Sequence, residues 1–411
     1  MKARKFLIVC LIFILIFLTL IGSDSINSID NLAYIVSIGF DISENEKLKI
    51  SFQIAVPSGN SSSSSSDSSS SQSSSSIVNT VECNTLESGI DILNSYLSKK
   101  VNLSHCKAIV FSEEISYMGI GQHLYTLMNN LEIRPTCNII ISRCNASYFI
   151  ENSKPMLERL SSKYYEVAST SHRNTGYTAN ISLQDFYSNL TDSSSESYAI
   201  LGSVNSKDSQ ESNDKSLEEP DNSYIASELP VNNSKNIETL GLAVFKGDKL
   251  VGELNGLESI SHLILTNNLE NAIITIPSPF ESTNYIDLYL VKSKCKIKSY
   301  ISNGTPYIKP SIMIEARIIS LSDDYKYLDK KNIKAIEQYA TSYIKAYVHE
   351  YLYKTSKEFK SDIAGFGKYF ISNFLTWDDW NKYNWLDNYQ NAIFSADVKV
   401  KMRSRFLLID T

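Results

Sequence analysis

Apolar and polar positions fall into two short periodic runs near the start of the exported chain. Leu32 to Phe40 is mostly apolar, and Leu48, Ile50, Phe52, Ile54 and Val56 then alternate with Lys49, Ser51, Gln53 and Ala55. A period of two sends successive side chains to opposite faces of an extended chain, so both runs predict strands, with Ser43 to Glu46 as the hairpin turn. The period then becomes helical: Leu86, Ile90, Leu93 and Leu97 follow Thr85, which can cap the helix, while Lys99 and Lys100 are placed to close its dipole. Strand-like 108–111, helical 122–131, strand-like 138–141 and helical 146–152 and 183–190 continue the alternation, which predicts a sheet carrying helices.

Farther on, Leu240 to Phe245 and Leu250 to Leu254 flank Lys246-Gly247-Asp248-Lys249, a second tight hairpin whose Gly-Asp turn supplies the positive backbone angle. In the last third Lys292, Lys294, Lys296 and Lys298 alternate with Val291, Ser293, Cys295 and Ile297, so one face of that strand is wet and the other covered. Ile308, Ile312, Ile314, Ala316 and Ile318 predict a second strand and Val398, Val400 and Met402 a third. Between them a helix from Asp329 to about Phe359 carries Ile333, Ile336, Ala340, Tyr343, Ile344, Tyr347 and Tyr351 on one stripe. The expected fold is α+β and multi-domain: mixed or antiparallel sheets packed by helices, a long helix in an antiparallel C-terminal domain, and an N-terminal membrane segment.

That segment is the apolar run Phe6 to Ile21, led by Lys2, Arg4 and Lys5. Cationic residues stay in the cytoplasm, which puts everything after Ser23 outside. As a helix the run spans roughly 24 Å, short for a bilayer core and long for a cleaved signal. Residues 1–23 are therefore a signal or a membrane anchor, and the poor cleavage pattern at Leu20-Ile21-Gly22-Ser23 favours an uncleaved anchor. Lipid attachment needs a thiolate after the small residue that closes the run; Ser23 stands there, and Cys10 reads as a small apolar residue within the run.

Two low-complexity stretches divide the remainder. The serine run 58–76 buries too little apolar surface to offset chain entropy and is expected as a flexible loop. Residues 191–236, rich in Ser, Asn, Asp and Glu, read as a linker with possible ordered islands at Tyr198 to Leu201 and Tyr224 to Leu229.

A formal charge of -6 argues against a nucleic-acid partner. Five cysteines follow the leader (Cys83, Cys106, Cys137, Cys144, Cys295) without C-x-x-C spacing, and the histidines lie singly, so neither a disulfide framework nor a metal site is indicated. No G-x-S-x-G occurs, and His349-Glu350 lacks the second histidine of a zinc protease. Gly119/Gly121 and Gly365/Gly367 lack the third glycine of a phosphate cradle and read as turns. Trp377, Trp380 and Trp385, beside Asp378, Asp379 and Asp387, could stack on a ring ligand, but packing of their loop against the long helix is the favoured reading. His105 reads as structural. Adjacent Asp378 and Asp379 make a poor hydrolytic pair, since two catalytic carboxylates must flank a ring. No catalytic, cofactor-binding or metal residue is assigned.

Taken in order, several segments resemble the C subunit of bacterial spore germinant receptors, the Ger(x)C family. They are Asn31-Leu32-Ala33, Ile35 to Asp41, Leu103 to Val110, Leu131 to Pro135, Leu240 to Gly252, Ser361 to Gly367 and Val398-Lys399-Val400. The family's lipid-bearing cysteine corresponds to Ser23 and its neighbouring tryptophan to Asp24, so the departure implies no lipid and retention by the helix 6–21. The resemblance implies a non-enzymatic subunit on the outer face of the spore inner membrane, partnered by integral-membrane A and B subunits and responding to small nutrients. It also implies three α+β domains, at about 30–180, 237–282 and 283–408. The lysine face of the C-terminal sheet is one candidate partner surface. An extracytoplasmic solute-binding protein is the alternative, and it requires a cleft with converging polar groups.

Overall fold

The computed structural model describes residues 31–45, 47–56, 76–153, 161–170, 172–205, 223–231, 236–281, 283–321 and 330–403, with Arg4 and Phe6. The leader beyond Phe6, Ser23, and the serine run up to residue 75 lie outside these. Among the described residues no helix is long and apolar enough to cross a membrane.

Strands β1 (Leu32–Ile42) and β2 (Leu48–Ala55) form the predicted hairpin, with Ile38 opposite Phe52 and the Ser43 N–H donating to the Lys47 carbonyl at 2.8 Å. β3 (Ser76–Cys83) extends it. Helix α1 (Leu86–Tyr96) starts in a capping box: the Thr85 hydroxyl accepts from the Ser88 N–H while Ser88 answers to the Thr85 N–H. The predicted closure by lysines is corrected. The helix ends at Tyr96, and Lys100 instead opens β4 (Lys100–Asn102), pulled into extension by pairing with Leu32.

The chain then alternates as expected through β5 (Ala108–Ser112), α2 (Glu113–Met118), α3 (Gly121–Asn129), β6 (Asn138–Ser142), α4 (Ala146–Glu151), α5 (Ser161–Thr170) and α6 (Leu183–Thr191). Next comes β7 (Tyr198–Val204), an interior strand inside the stretch expected as a linker. Its composition misleads because Ser194, Ser195 and Ser197 are small enough to be buried, with the Ser194 hydroxyl donating to Asp192 at 2.7 Å. β8 (Ile237–Lys246) and β9 (Lys249–Leu254) form the second hairpin around Gly247 at φ 58°.

The first sheet runs β3-β2-β1-β5-β6-β7-β8-β9, with β4 beside β1. Its centre, β1, β5, β6 and β7, is parallel, and antiparallel hairpins flank it. Every residue of β5 and β6 is buried. Side chains from α4 and α5 (Phe149, Ile150, Tyr165) cover one face, and Leu93, Ile115, Leu124 and Phe186 from α1, α2, α3 and α6 cover the other. Parallel strands need helical crossovers, and crossovers on both faces leave no wet side.

Helix α7 (Gly256–Leu265), not foreseen from sequence, joins the two halves and is buried along its whole length. The segment 237–282 is thereby divided: β8 and β9 belong to the first sheet, whereas β10 (Ala272–Pro277) begins the second. There β11 (Tyr285–Ser302) and β12 (Thr305–Leu321) form a long hairpin, followed by α8 (Lys330–Tyr353), which runs into a wider turn over Lys354–Glu358, then α9 (Trp377–Tyr383), β13 (Ile393–Phe394) and β14 (Asp397–Met402). The expected antiparallel arrangement is corrected in one respect. β14 lies parallel to β12, because α8 crosses the sheet between them. Ile336, Ala340, Ile344 and Tyr351 of α8 are buried in the same core as Ile312 and Val400 of the sheet, while the four lysines of β11 are exposed.

Candidate functional site

At the carboxyl ends of parallel strands the backbone must leave the sheet, and where neighbouring strands send their helices to opposite faces a crevice opens between them. β5 and β6 are such a pair: α2 packs on one face and α4 on the other. The crevice holds about 270 Å³ and is lined by Ser112, Glu113, Glu114, Tyr117, Arg143, Cys144 and Asn145. That is just below the roughly 300–1,000 Å³ of ordinary ligand pockets.

Arg143 is held by its guanidinium: Nη1 donates to the Ala226 carbonyl at 2.7 Å and to the Ser227 hydroxyl at 3.0 Å, and Nε lies 3.4 Å from Glu253. Burial raises the Glu253 carboxyl above the ordinary range; Arg143 opposes the shift and Glu113 and Glu228 add to it. Burial and a hydrogen bond to Glu113 likewise raise the Tyr117 phenol. The Ser112 hydroxyl, on a residue 3% exposed, and Glu253 Oε1 are both buried without a described hydrogen-bond partner. A pinned cation, the Glu113 and Glu114 carboxylates and the unsatisfied Ser112 hydroxyl can hold a small polar molecule. Cys144 meets the Ser142 hydroxyl at 3.3 Å. Sequence reasoning missed this site. Arg143 just after a buried strand was its one signal.

The residues singled out from sequence lie elsewhere. Trp380 and Trp385 are buried: Trp380 Nε1 donates to the Ser193 hydroxyl and Trp385 Nε1 to Asp362, each at 2.8 Å. They pack their loop as expected, and Trp377 alone is exposed, at 66%. Asp379 accepts from Thr376 in the cap of α9, and Asp387 lies 3.7 Å from Lys246, so the acidic residues do not converge on a ring site. His105 sits edge-on to Tyr34. The five cysteines after the leader are free thiols.

The sequence blocks that carry the resemblance noted above include joints of the fold. Asp41 accepts from the Ala146 and Ser147 N–H groups at 2.7 and 2.8 Å and so sets α4, while Glu132 accepts from the Leu103 N–H at 2.8 Å. Asp362 lies at the seam between the two halves, accepting from the N–H groups of Phe366 (3.0 Å) and Gly367 (2.9 Å) as well as from Trp385. Its carbonyl accepts from the Glu196 N–H, and the Glu196 carboxyl in turn accepts from the Gly247 N–H at 2.8 Å. Burial raises Asp362 to about 6 against those donors, and raises Glu196 to about 7. Nearby in α7, His262 pairs with the Tyr351 hydroxyl at 2.8 Å and is lowered by burial to about 3, so it is neutral at physiological pH.

Comparison with known proteins finds two family domains in order along the chain. Residues 25–203 match the spore germination protein N-terminal domain, and residues 240–405 match the spore germination B3/GerAC-like C-terminal domain. GerQC, a spore germination protein of Bacillus cereus, is 21% identical over 405 residues, 95% of this chain and 97% of its own length. YfkR of Bacillus subtilis (strain 168), whose name assigns it provisionally to spore germination, is 22% identical over 393 residues, 94% of each. Among solved structures, that of the GerBC protein superposes with a TM-score of 0.50 at 16% identity, covering 89% of this chain and 97% of GerBC, which shows the fold.

Proposed function

The chain belongs to the Ger(x)C family of spore germinant receptor C subunits, and from that premise we propose that it works without catalysis of its own, assembling with integral-membrane A and B subunits to start germination in response to small nutrients. The observation that carries this reading is the ordered match of both family domains over nearly the whole chain. The protein sits on the outer face of the spore inner membrane, held by the apolar run Phe6 to Ile21 in place of the lipid that Ser23 forgoes. Deleting the gene should slow the fall in optical density after nutrient addition and leave non-nutrient triggers unaffected; spores that respond normally to every nutrient would overturn the reading. Radioactive palmitate should leave the chain unlabelled, and label on it would sink the helical anchor.

A second reading is favoured by the crevice at β5 and β6: the subunit itself contacts a small polar molecule, as a solute-binding protein would. Isothermal titration with free amino acids, comparing the native chain with Arg143→Gln, separates the two. Heat that disappears in the variant supports direct contact; no heat from either leaves recognition to the partners.

A further inference from the structure

The second sheet presents a face that no described element covers. Lys292, Lys294, Lys296 and Lys298 project from β11, Lys309 and Arg317 from β12, and Lys399 and Lys401 from β14 with Arg403 just beyond it, all exposed. Cross-strand register puts them side by side: Lys294 faces Met313, which faces Lys399, and Lys298 faces Lys309. Among the described residues of these strands, Asp287, Glu315 and Asp397 oppose them, and two are engaged, Glu315 with Arg403 and Asp287 with the Thr275 hydroxyl. No described carboxylate lies within ion-pair distance of the four β11 lysines. This concentration of positive charge sits on a chain whose formal charge is -6.

Apolar side chains are set among the cations. Ile273, Met313, Ile319 and Tyr300 are each about two-fifths exposed or more, and Lys309 lies over the Tyr300 ring at 5.3 Å. We propose that this face docks on an anionic lipid bilayer, the lysines among phospholipid headgroups and the tyrosine and aliphatic tips at the interface below them. Three features favour lipid over an acidic protein. Lysine ammonium groups on flexible stems suit a fluid field of phosphates, whereas a fixed pattern of carboxylates is better met by the rigid forks of arginine, which is the minority here. Tyrosine and aliphatic tips among basic residues match the chemistry of a membrane surface. The apolar leader read from the sequence, moreover, keeps the domain beside a bilayer. The inference rests on that membrane-side placement but not on the A and B subunits.

The test uses the full chain with vesicles of phosphatidylcholine alone or mixed with phosphatidylglycerol. A water-soluble N-hydroxysuccinimide ester acylates accessible lysines, and mass spectrometry reads each site. On anionic vesicles Lys294, Lys296 and Lys298 should be protected at least about fivefold relative to Lys99 and Lys331, and high salt should abolish this. Protection should also vanish in Lys294→Glu/Lys296→Glu, and fall partway in Lys294→Gln/Lys296→Gln, with circular dichroism unchanged in both. Equal labelling on the two kinds of vesicle overturns the proposal. So does protection that arises only when A and B subunits are added, which would assign the face to a protein partner. Neither result touches the receptor assignment, which deletion of the gene tests separately.

Discussion

The two sheets solve the same packing problem in opposite ways. The first has parallel central strands whose helical crossovers cover both faces, so β5 and β6 are buried residue by residue. The second is built on a long antiparallel hairpin, with α8 on one face and the other left open among the described residues, and β11 and β14 alternate accordingly. The difference teaches where the molecule can meet anything else. The doubly covered centre of the first sheet offers a crevice where β5 and β6 part, whereas a singly covered sheet offers an entire face.

A charge placed in each sheet breaks the comparison most sharply. Val110→Lys puts an ammonium into the second covered face of β5 and should cost more than about 4 kcal/mol, leaving no folded protein. Met313→Lys, on the open face, should fold normally by circular dichroism and chemical denaturation. Equal outcomes would show that the open face is covered in the native protein.

Next in size is the seam joining the halves. A Cβ at Gly367 would overlap the Ser194 carbonyl oxygen and come within 2.6 Å of the Trp385 ring, so Gly367→Ala should lower stability by about 3 kcal/mol in urea denaturation. A loss under about 0.5 kcal/mol would show that the seam is loose.

The seam also predicts a pH dependence. Burial holds the Glu196 carboxyl, folded, at about 7 and that of Asp362 at about 6, both above their unfolded values. Between the unfolded and folded values the unfolded chain binds fewer protons. Their contribution to stability is thus fully present below the unfolded values and is lost as pH rises through the folded ones. Denaturation midpoints should fall between about pH 4 and pH 7, and Glu196→Gln should flatten the upper part of that fall. A slope unchanged by the substitution would remove Glu196 as its source. The smallest effect belongs to the open face: Lys296→Ala should change stability by no more than about 0.5 kcal/mol.

Much of this architecture was legible in the sequence because its patterns are local. The lysine alternation announced the open face of β11, and the Gly247 turn announced its hairpin. What escaped was tertiary. β7 was visible only as the island Tyr198 to Leu201, and its place inside the sheet was hidden by a stretch rich in serine and acidic residues, whose small serines can be buried when they are hydrogen-bonded. α7 was missed although Asn255 and Glu258 form a capping box, since its helix is buried on all sides and carries Glu258 and His262 inside. Glu258 is accommodated there by Lys354, 2.5 Å away, and by the Asn255 N–H. The crevice depends on the faces to which α2 and α4 turn, which no spacing along the chain records. The blocks that carry the family resemblance were visible, but not that residues such as Asp41, Glu132 and Asp362 brace backbone.

The most direct measurement of the central claim is isolation of the epitope-tagged chain from detergent-solubilised spore inner membrane, with mass spectrometry of what accompanies it. The account predicts two multi-span membrane proteins in constant proportion to the chain. A chain recovered alone, or chiefly from the soluble fraction, would contradict it.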